Sequence, residues 1–284
     1  MLREFSVGSK TIQGSQVNMM QIKKLKKTKI LFTVAALALI NGCATTTKVS
    51  DPADPWVGWN RGAQSFNDGL DSYIVKPVAQ GYDTIMPSFA HKGVTNFFSN
   101  LDDIDVIAND ALQGKFSQSG MDSARLLVNT TVGLAGFIDV GTLLELPKHN
   151  EDFDQTLGYW GVPTGPYLVL PFFGPSSPRA VFGLLGDAAL NPISYTGIYF
   201  GSGSSLSYEV SGGLGILKAI DTRANNLGLE KVINEAAVDR YDFFKNAYIS
   251  RRNYLVHDGK VSDEDDVLKF EEKNSNGMGP ISPY

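Results

Sequence analysis

The stretch FDQTLGYWGVPTGPYLVLPFFGPSSPR, Phe153 to Arg179, decides how the rest of the chain is read. No acid or base lies between Asp154 and Arg179, and Tyr167 to Phe173 is nearly continuous hydrocarbon. An apolar run of this length suits a transmembrane helix, but Pro163, Pro166, Pro171, Pro175 and Pro178 each remove a backbone donor. Gly158, Gly161, Gly165 and Gly174 favour turns. Irregular backbone survives at membrane depth only when it is buried in protein or lines a cavity. From Gln155 to Leu217 the only charged residues are Arg179, Asp187 and Glu209. In a chain that is 19% charged, that segment is built to sit away from bulk water. The expectation is an irregular, Gly/Pro-rich apolar hairpin. Tyr167, Leu168, Leu170, Phe172 and Phe173 form its wall, one side packed on helices and the other facing acyl chains or a channel.

Working back to the start, Met19 or Met20 makes a better initiator than Met1, since the first 17 residues look like neither signal nor domain. Five lysines between Lys23 and Lys29 precede an apolar run, Ile30 to Ile40, too short to span a bilayer. Asn41-Gly42-Cys43 follows, and Cys43 is the only cysteine. It sits where a bacterial lipoprotein signal is cut and its thiol lipidated; with no disulfide partner, a lone thiol has little other use. Residues 1–42 are read as leader and lipoprotein signal, 43–53 as a lipidated tether, 54–256 as one domain and 257–284 as a disordered acidic tail. Without the leader the chain has 18 bases (25 less 7) against 29 acids (30 less 1), a charge of −11. That excludes nucleic acid as a partner and a polybasic grip on anionic lipid. Membrane contact must be hydrophobic.

Helical periods dominate the domain, so the fold class is mainly α, in a single domain. Asp54-Pro55 reads as a helix start, and Trp56, Trp59, Ala63, Phe66 and Leu70 recur on one face. Gly69 and Asp71 end that helix, and Lys76-Pro77 and Met86-Pro87 mark a kink and a break. Helical spacing then runs from Val94 to Gly114 and from Ser119 to Thr131, followed by a Gly-punctuated apolar segment, Leu134 to Gly141. Ser176 or Ser177 caps a helix opened by Pro178 and ended at Asn191-Pro192. Gly201 to Ser205 reads as a loop, Leu206 to Leu217 as a helix, and Leu229 to Arg252 as the longest helix, with Val232, Ala236, Phe243, Phe244 and Ala247 inward.

No catalytic constellation emerges. There is no G-x-S-x-G elbow, and His91, His149 and His257 are scattered without metal-binding spacing. Asp102, Asp103 and Asp105 read as a solvated helix start rather than as metal ligands. The reading is no enzyme, no cofactor and no metal.

TLGYWGVPTGPYLVLPFFGPSSPR, with DPWVGWNRGAQSFN, SYIVKPVAQGY, GVTNFFSNL, NDALQG and GFIDVG upstream in the same order, resembles the MlaA (VacJ) family of outer-membrane lipoproteins from about Asp54 to Arg252. The resemblance implies a ring-like helical domain embedded in one membrane leaflet and lipid-anchored on the periplasmic face of the outer membrane. It implies a channel that takes mislocalised phospholipid from the outer leaflet, a porin trimer as partner, and a soluble periplasmic lipid carrier. Phe66 and Asn67 fall in the segment that the family uses as a gating joint. The alternative is a structural lipoprotein tethering envelope layers, which needs a water-facing binding domain and no long uncharged belt. A lipid hydrolase is more distant.

Overall fold

The computed structural model describes residues 53–195 and 205–260. Cys43, the leader, most of the tether, residues 196–204 and the tail from Val261 lie outside them. Pro77 shapes the first long helix. Helix α1 (Val57–Leu70) does not stop at Gly69. It passes through one π-helical turn, Asp71–Val75, into α2 (Lys76–Ile85). Proline lacks an N–H, and in a regular helix its ring clashes with the carbonyl four residues back. The wider turn removes that conflict, and the Lys76 N–H donates to the Asp71 carbonyl, five residues back. Ion pairs pin the turn: Arg223 reaches both Asp71 oxygens at 2.7 and 2.8 Å, and Glu230 bridges Arg223 and Lys76.

Met86-Pro87 breaks the chain as expected. Helix α3 (Ser88–Leu112), not the C-terminal one, is the longest of the described helices, and it packs against α4 (Phe116–Thr131). Asp103 and Asp105 correct the reading of a solvated helix start: both are buried in mid-helix. Lys148 pairs with Asp103, and burial raises the Asp103 pKa. After turns at Leu134–Gly136, the short α5 (Val140–Leu143) is capped by Asp139, and α6 (Phe153–Tyr159) by Asp152. Strands β1 (Leu168–Leu170) and β2 (Gly174–Ser176) pair antiparallel, with Leu168 opposite Ser176. Ser177 caps α7 (Pro178–Leu190), accepting from the Ala180 N–H, and a 3-10 turn, Pro192–Tyr195, follows.

Helices α8 (Ser205–Asn225), α9 (Leu227–Ala236) and α10 (Arg240–Val256) complete the order. The single helix expected from Leu229 to Arg252 is two. Asp239 breaks it, because its carboxylate accepts from the Tyr241 and Asp242 N–H groups and starts a new N-terminus. The inward face of α10 is also corrected. Phe243 and Ala247 are exposed, while Tyr241, Phe244, Tyr248 and Arg252 turn inward.

The burial pattern is inverted relative to a water-soluble globule. Among the described residues, eighteen buried side chains are polar or charged and nine are hydrophobic. Large apolar groups lie outside instead: Phe89, Phe116, Leu127, Trp160, Phe182 and Leu185 are all exposed. An exposed leucine is ordinary; many buried carboxylates and amides under an aromatic exterior are not. Among the described residues, no helix is long and apolar enough to cross a membrane.

Candidate functional site

An extended strand has unpaired N–H and C=O groups along its free edge, and these need partners when water is excluded. Here α1 supplies them from side chains. Asn60 Nδ2 donates to the Tyr167 carbonyl at 3.0 Å, and Asn60 Oδ1 accepts from the Val169 N–H at 2.8 Å. Trp59 Nε1 donates to the Val169 carbonyl at 3.0 Å. Two helical turns on, Asn67 repeats the pattern: Nδ2 donates to the Leu170 carbonyl (2.9 Å), and Oδ1 accepts from the Phe172 N–H (2.7 Å). The two asparagines are seven residues apart and so share one helix face. Each amide acts as a short length of neighbouring strand.

The clamp holds a strained tip. Phe172 sits at φ +71°, a left-handed conformation that a bulky residue rarely adopts. Its ring meets Phe66 edge-on, with centroids 5.2 Å apart. Phe172 and Phe173 are 71% and 72% exposed, whereas Tyr167 is 2% exposed. Leu168 and Leu170 are half-buried. The residues expected to form a wall therefore divide: Tyr167 and Val169 face the packed side, and the phenylalanines face outward. Phe66 and Asn67, expected to form a separate joint, lie inside α1 and touch this same hairpin. The irregular turn follows at Asp71–Val75, one turn later.

Behind the hairpin, Tyr167 packs against Tyr241 and Tyr248, with ring centroids 5.9 and 5.8 Å away. Asp54, expected to cap α1, is buried instead and accepts from Asn60 (2.8 Å) and from the Tyr241 hydroxyl (2.5 Å). These buried partners outcompete a local cap. Burial, then the hydrogen bond to Asp54, raises the Tyr241 pKa. Burial also raises Tyr167, whose hydroxyl has no hydrogen-bond partner.

That hydroxyl borders a cavity of about 450 Å³ lined by residues including Thr164, Tyr167, Ser177, Arg179, Tyr248 and Arg252. Its cations are neutralised. Arg179 Nε donates to Asp154 Oδ1 at 2.7 Å, and Arg252 pairs with Asp152 and Asp154. Burial lowers the Arg252 pKa, but the two aspartates outweigh it and the net shift is upward. Gly183 and Gly186 let α7 approach α6 closely: a Cβ there would meet Asp154 N at 2.8 Å and Phe153 Cγ at 2.3 Å. The arrangement can bind and position. The three histidines face Asp83 and Asp221 (His91), Asp122 (His149) and the Asn253 carbonyl (His257).

Asn60 and Tyr241 escaped the sequence reading, which took Asp54 only as a helix start and Trp59 only as part of an apolar face. The available signal was the seven-residue asparagine spacing around Ala63, on a helix scanned only for apolar positions.

Fold and site together define a class: a mainly helical protein with a polar interior, an aromatic exterior, and an irregular hairpin clamped by helix side chains. The chain belongs to the MlaA lipoprotein family, whose model matches residues 52–255. It is 32% identical over 232 residues to the intermembrane phospholipid transport system lipoprotein MlaA of Shigella flexneri, covering 80% of this chain and 88% of that one. It is 32% identical over 257 residues to the Haemophilus influenzae protein of the same name, covering 86% and 98%. A solved structure concerned with maintenance of bacterial outer membrane lipid asymmetry is similar at TM-score 0.61 and 30% identity, covering 72% of this chain and 98% of that one.

Proposed function

We propose that this protein is the outer-membrane lipoprotein of an intermembrane phospholipid transport system and that it removes mislocalised phospholipid from the outer leaflet. The observation that carries this reading is the inverted surface. Eighteen buried polar side chains under an exterior bearing Phe172, Phe173, Phe182 and Trp160 suit a body surrounded by acyl chains. In this reading the body sits in one leaflet as a ring-like domain, and lipidated Cys43 holds it on the periplasmic face. A porin trimer and a soluble periplasmic carrier are its partners. It performs no catalytic step.

In this reading the outward hairpin face (Leu168, Leu170, Phe172 and Phe173) is the lipid-contacting wall, and Tyr167 anchors it from the packed side. Phe66 and Asn67 act as the gating joint by gripping the hairpin tip, so joint and wall move as one. The three-tyrosine cluster keeps the rest rigid. The polar lining near Tyr167 and Arg179 offers hydrogen bonds to a passing head group.

The test is to purify the protein with its porin in mild detergent and measure bound phospholipid, then transfer to the soluble carrier from vesicles. Bound phospholipid and transfer above a protein-free control are expected. A purified complex that holds no lipid and transfers none leaves an envelope tether as the better reading.

A further inference from the structure

We propose that Asp110, Asp122 and His149 form a divalent-cation site suited to Zn²⁺, tying α3, α4 and the loop before α6 together. Asp110 lies in the last turn of α3, Asp122 in the second turn of α4, and His149 in the loop after α5. One ligand atom from each lies within 4.8 Å of the other two.

A cluster of acids alone does not make a metal site; the state of Asp110 does. Its side chain is fully buried, yet neither carboxylate oxygen has a hydrogen-bond partner. Buried carboxylates are ordinarily paired, hydrogen-bonded or bound to a metal. The neighbouring cations are committed elsewhere. Lys115 pairs with Glu151 at 2.9 Å and with Asp258, and Arg125 pairs with Asp139 at 2.9 Å. Lys148 pairs with Asp103. Gln113 Nε2 goes to Glu151 and Thr156. Glu151 and Asp122 add further negative charge around it. A bound cation gives both oxygens a partner and offsets that charge.

The donor set selects the class of ion. Two carboxylates and an imidazole match the nitrogen and oxygen ligands of Zn²⁺ sites, whereas Mg²⁺ and Ca²⁺ prefer oxygen alone. Zn–ligand bonds of about 2.0–2.2 Å require the three atoms to close up by about an ångström. His149 sits on a loop that can follow. Its Nδ1 lies 2.7 Å from Asp122 Oδ2, so the imidazole already faces the acid pair. The three ligands come from separate elements, 39 positions apart in sequence at the extremes (149 − 110). That separation is why spacing did not reveal them.

The experiment uses the full-length protein in detergent, stripped with chelator and dialysed, then loaded with Zn²⁺ alone. Expected are one Zn²⁺ per chain by elemental analysis and an unfolding temperature raised by about 5–10 °C at a hundredfold excess over Kd. Asp110→Asn and His149→Gln should each reduce Zn²⁺ affinity at least tenfold. Melting in chelator checks the fold: Asp110→Asn should melt no lower than the parent, because it removes a buried charge. Sub-stoichiometric Zn²⁺, binding unchanged in both variants, or equal stabilisation by Mg²⁺ or Ca²⁺ would overturn the assignment. Because the readouts are metal content and melting, this test stands apart from the transport assay.

Discussion

Replacing Asn67 by alanine isolates the clamp on the hairpin tip. The variant loses the donor to the Leu170 carbonyl and the acceptor for the Phe172 N–H, at 2.9 and 2.7 Å. Each net hydrogen bond contributes about 0.5–1.5 kcal/mol, so the local loss is about 1–3 kcal/mol. Water can resolvate the exposed tip in detergent, which favours the lower half of that range. Phe172 meanwhile keeps its left-handed φ, itself unfavourable by about 1–3 kcal/mol, with less to hold it there. Asn60→Ala provides the comparison. Asn60 is fully buried and bonds Asp54, Tyr167 and Val169, so its loss leaves several buried groups unpaired. At about 1–3 kcal/mol for each orphaned group, that change approaches a domain's total stability. The assay is amide hydrogen exchange at Phe172 together with thermal melting. Asn67→Ala should speed Phe172 exchange about 5- to 150-fold, the equivalent of about 1–3 kcal/mol, while lowering the global melt only slightly. Asn60→Ala should lower the global melt strongly. Unchanged Phe172 exchange in Asn67→Ala would refute the clamp, because the tip would then be held by the turn itself.

Four further outcomes are expected. Cys43→Ala should give an uncleaved or mislocalised precursor, read by fractionation; normal outer-membrane function would end the anchor proposal. Deleting Phe66 and Asn67 turns the preceding part of α1 by roughly 200° relative to the π turn. It should give a lipid-leaking protein at normal level, distinguishable from a gene deletion by its permeability phenotype. Asp154→Ala strands buried Arg179 and should destabilise by about 3–5 kcal/mol, whereas the double change Asp154→Leu with Arg179→Met should recover most of that; melts of both variants and the parent check this. Burial, then the charges of Asp102 and Asp187, raises Asp105 to about 6. A raised carboxylate contributes stability below its unfolded pKa, near 4, that is lost as pH rises through the folded value. Asp105→Asn should therefore gain about 1–2 kcal/mol relative to the parent at pH 7.5 and little at pH 4, in paired denaturant titrations.

Local signals in the sequence determined a good deal. Pro87 and Pro192 end helices as read, because a missing N–H and a fixed φ are local properties, whereas Pro77 is absorbed by the π turn. The Ser177-Pro178 start of α7 was legible for the same reason. The ordered motifs announced the family. What the tertiary structure decided was which side of each element faces inward. Amphipathic reading assumes apolar residues turn to the core; here that assumption misplaced Phe243 and Ala247, which are exposed. Asp54 and Asp239 show the same limit at helix ends. Both are good N-caps by type, but Asp54 is taken by Tyr241, 187 positions away, while Asp239 does cap. Only the folded chain sets that competition, because a side chain's partner is chosen by what packing brings within about 3 Å, and sequence spacing does not encode that distance.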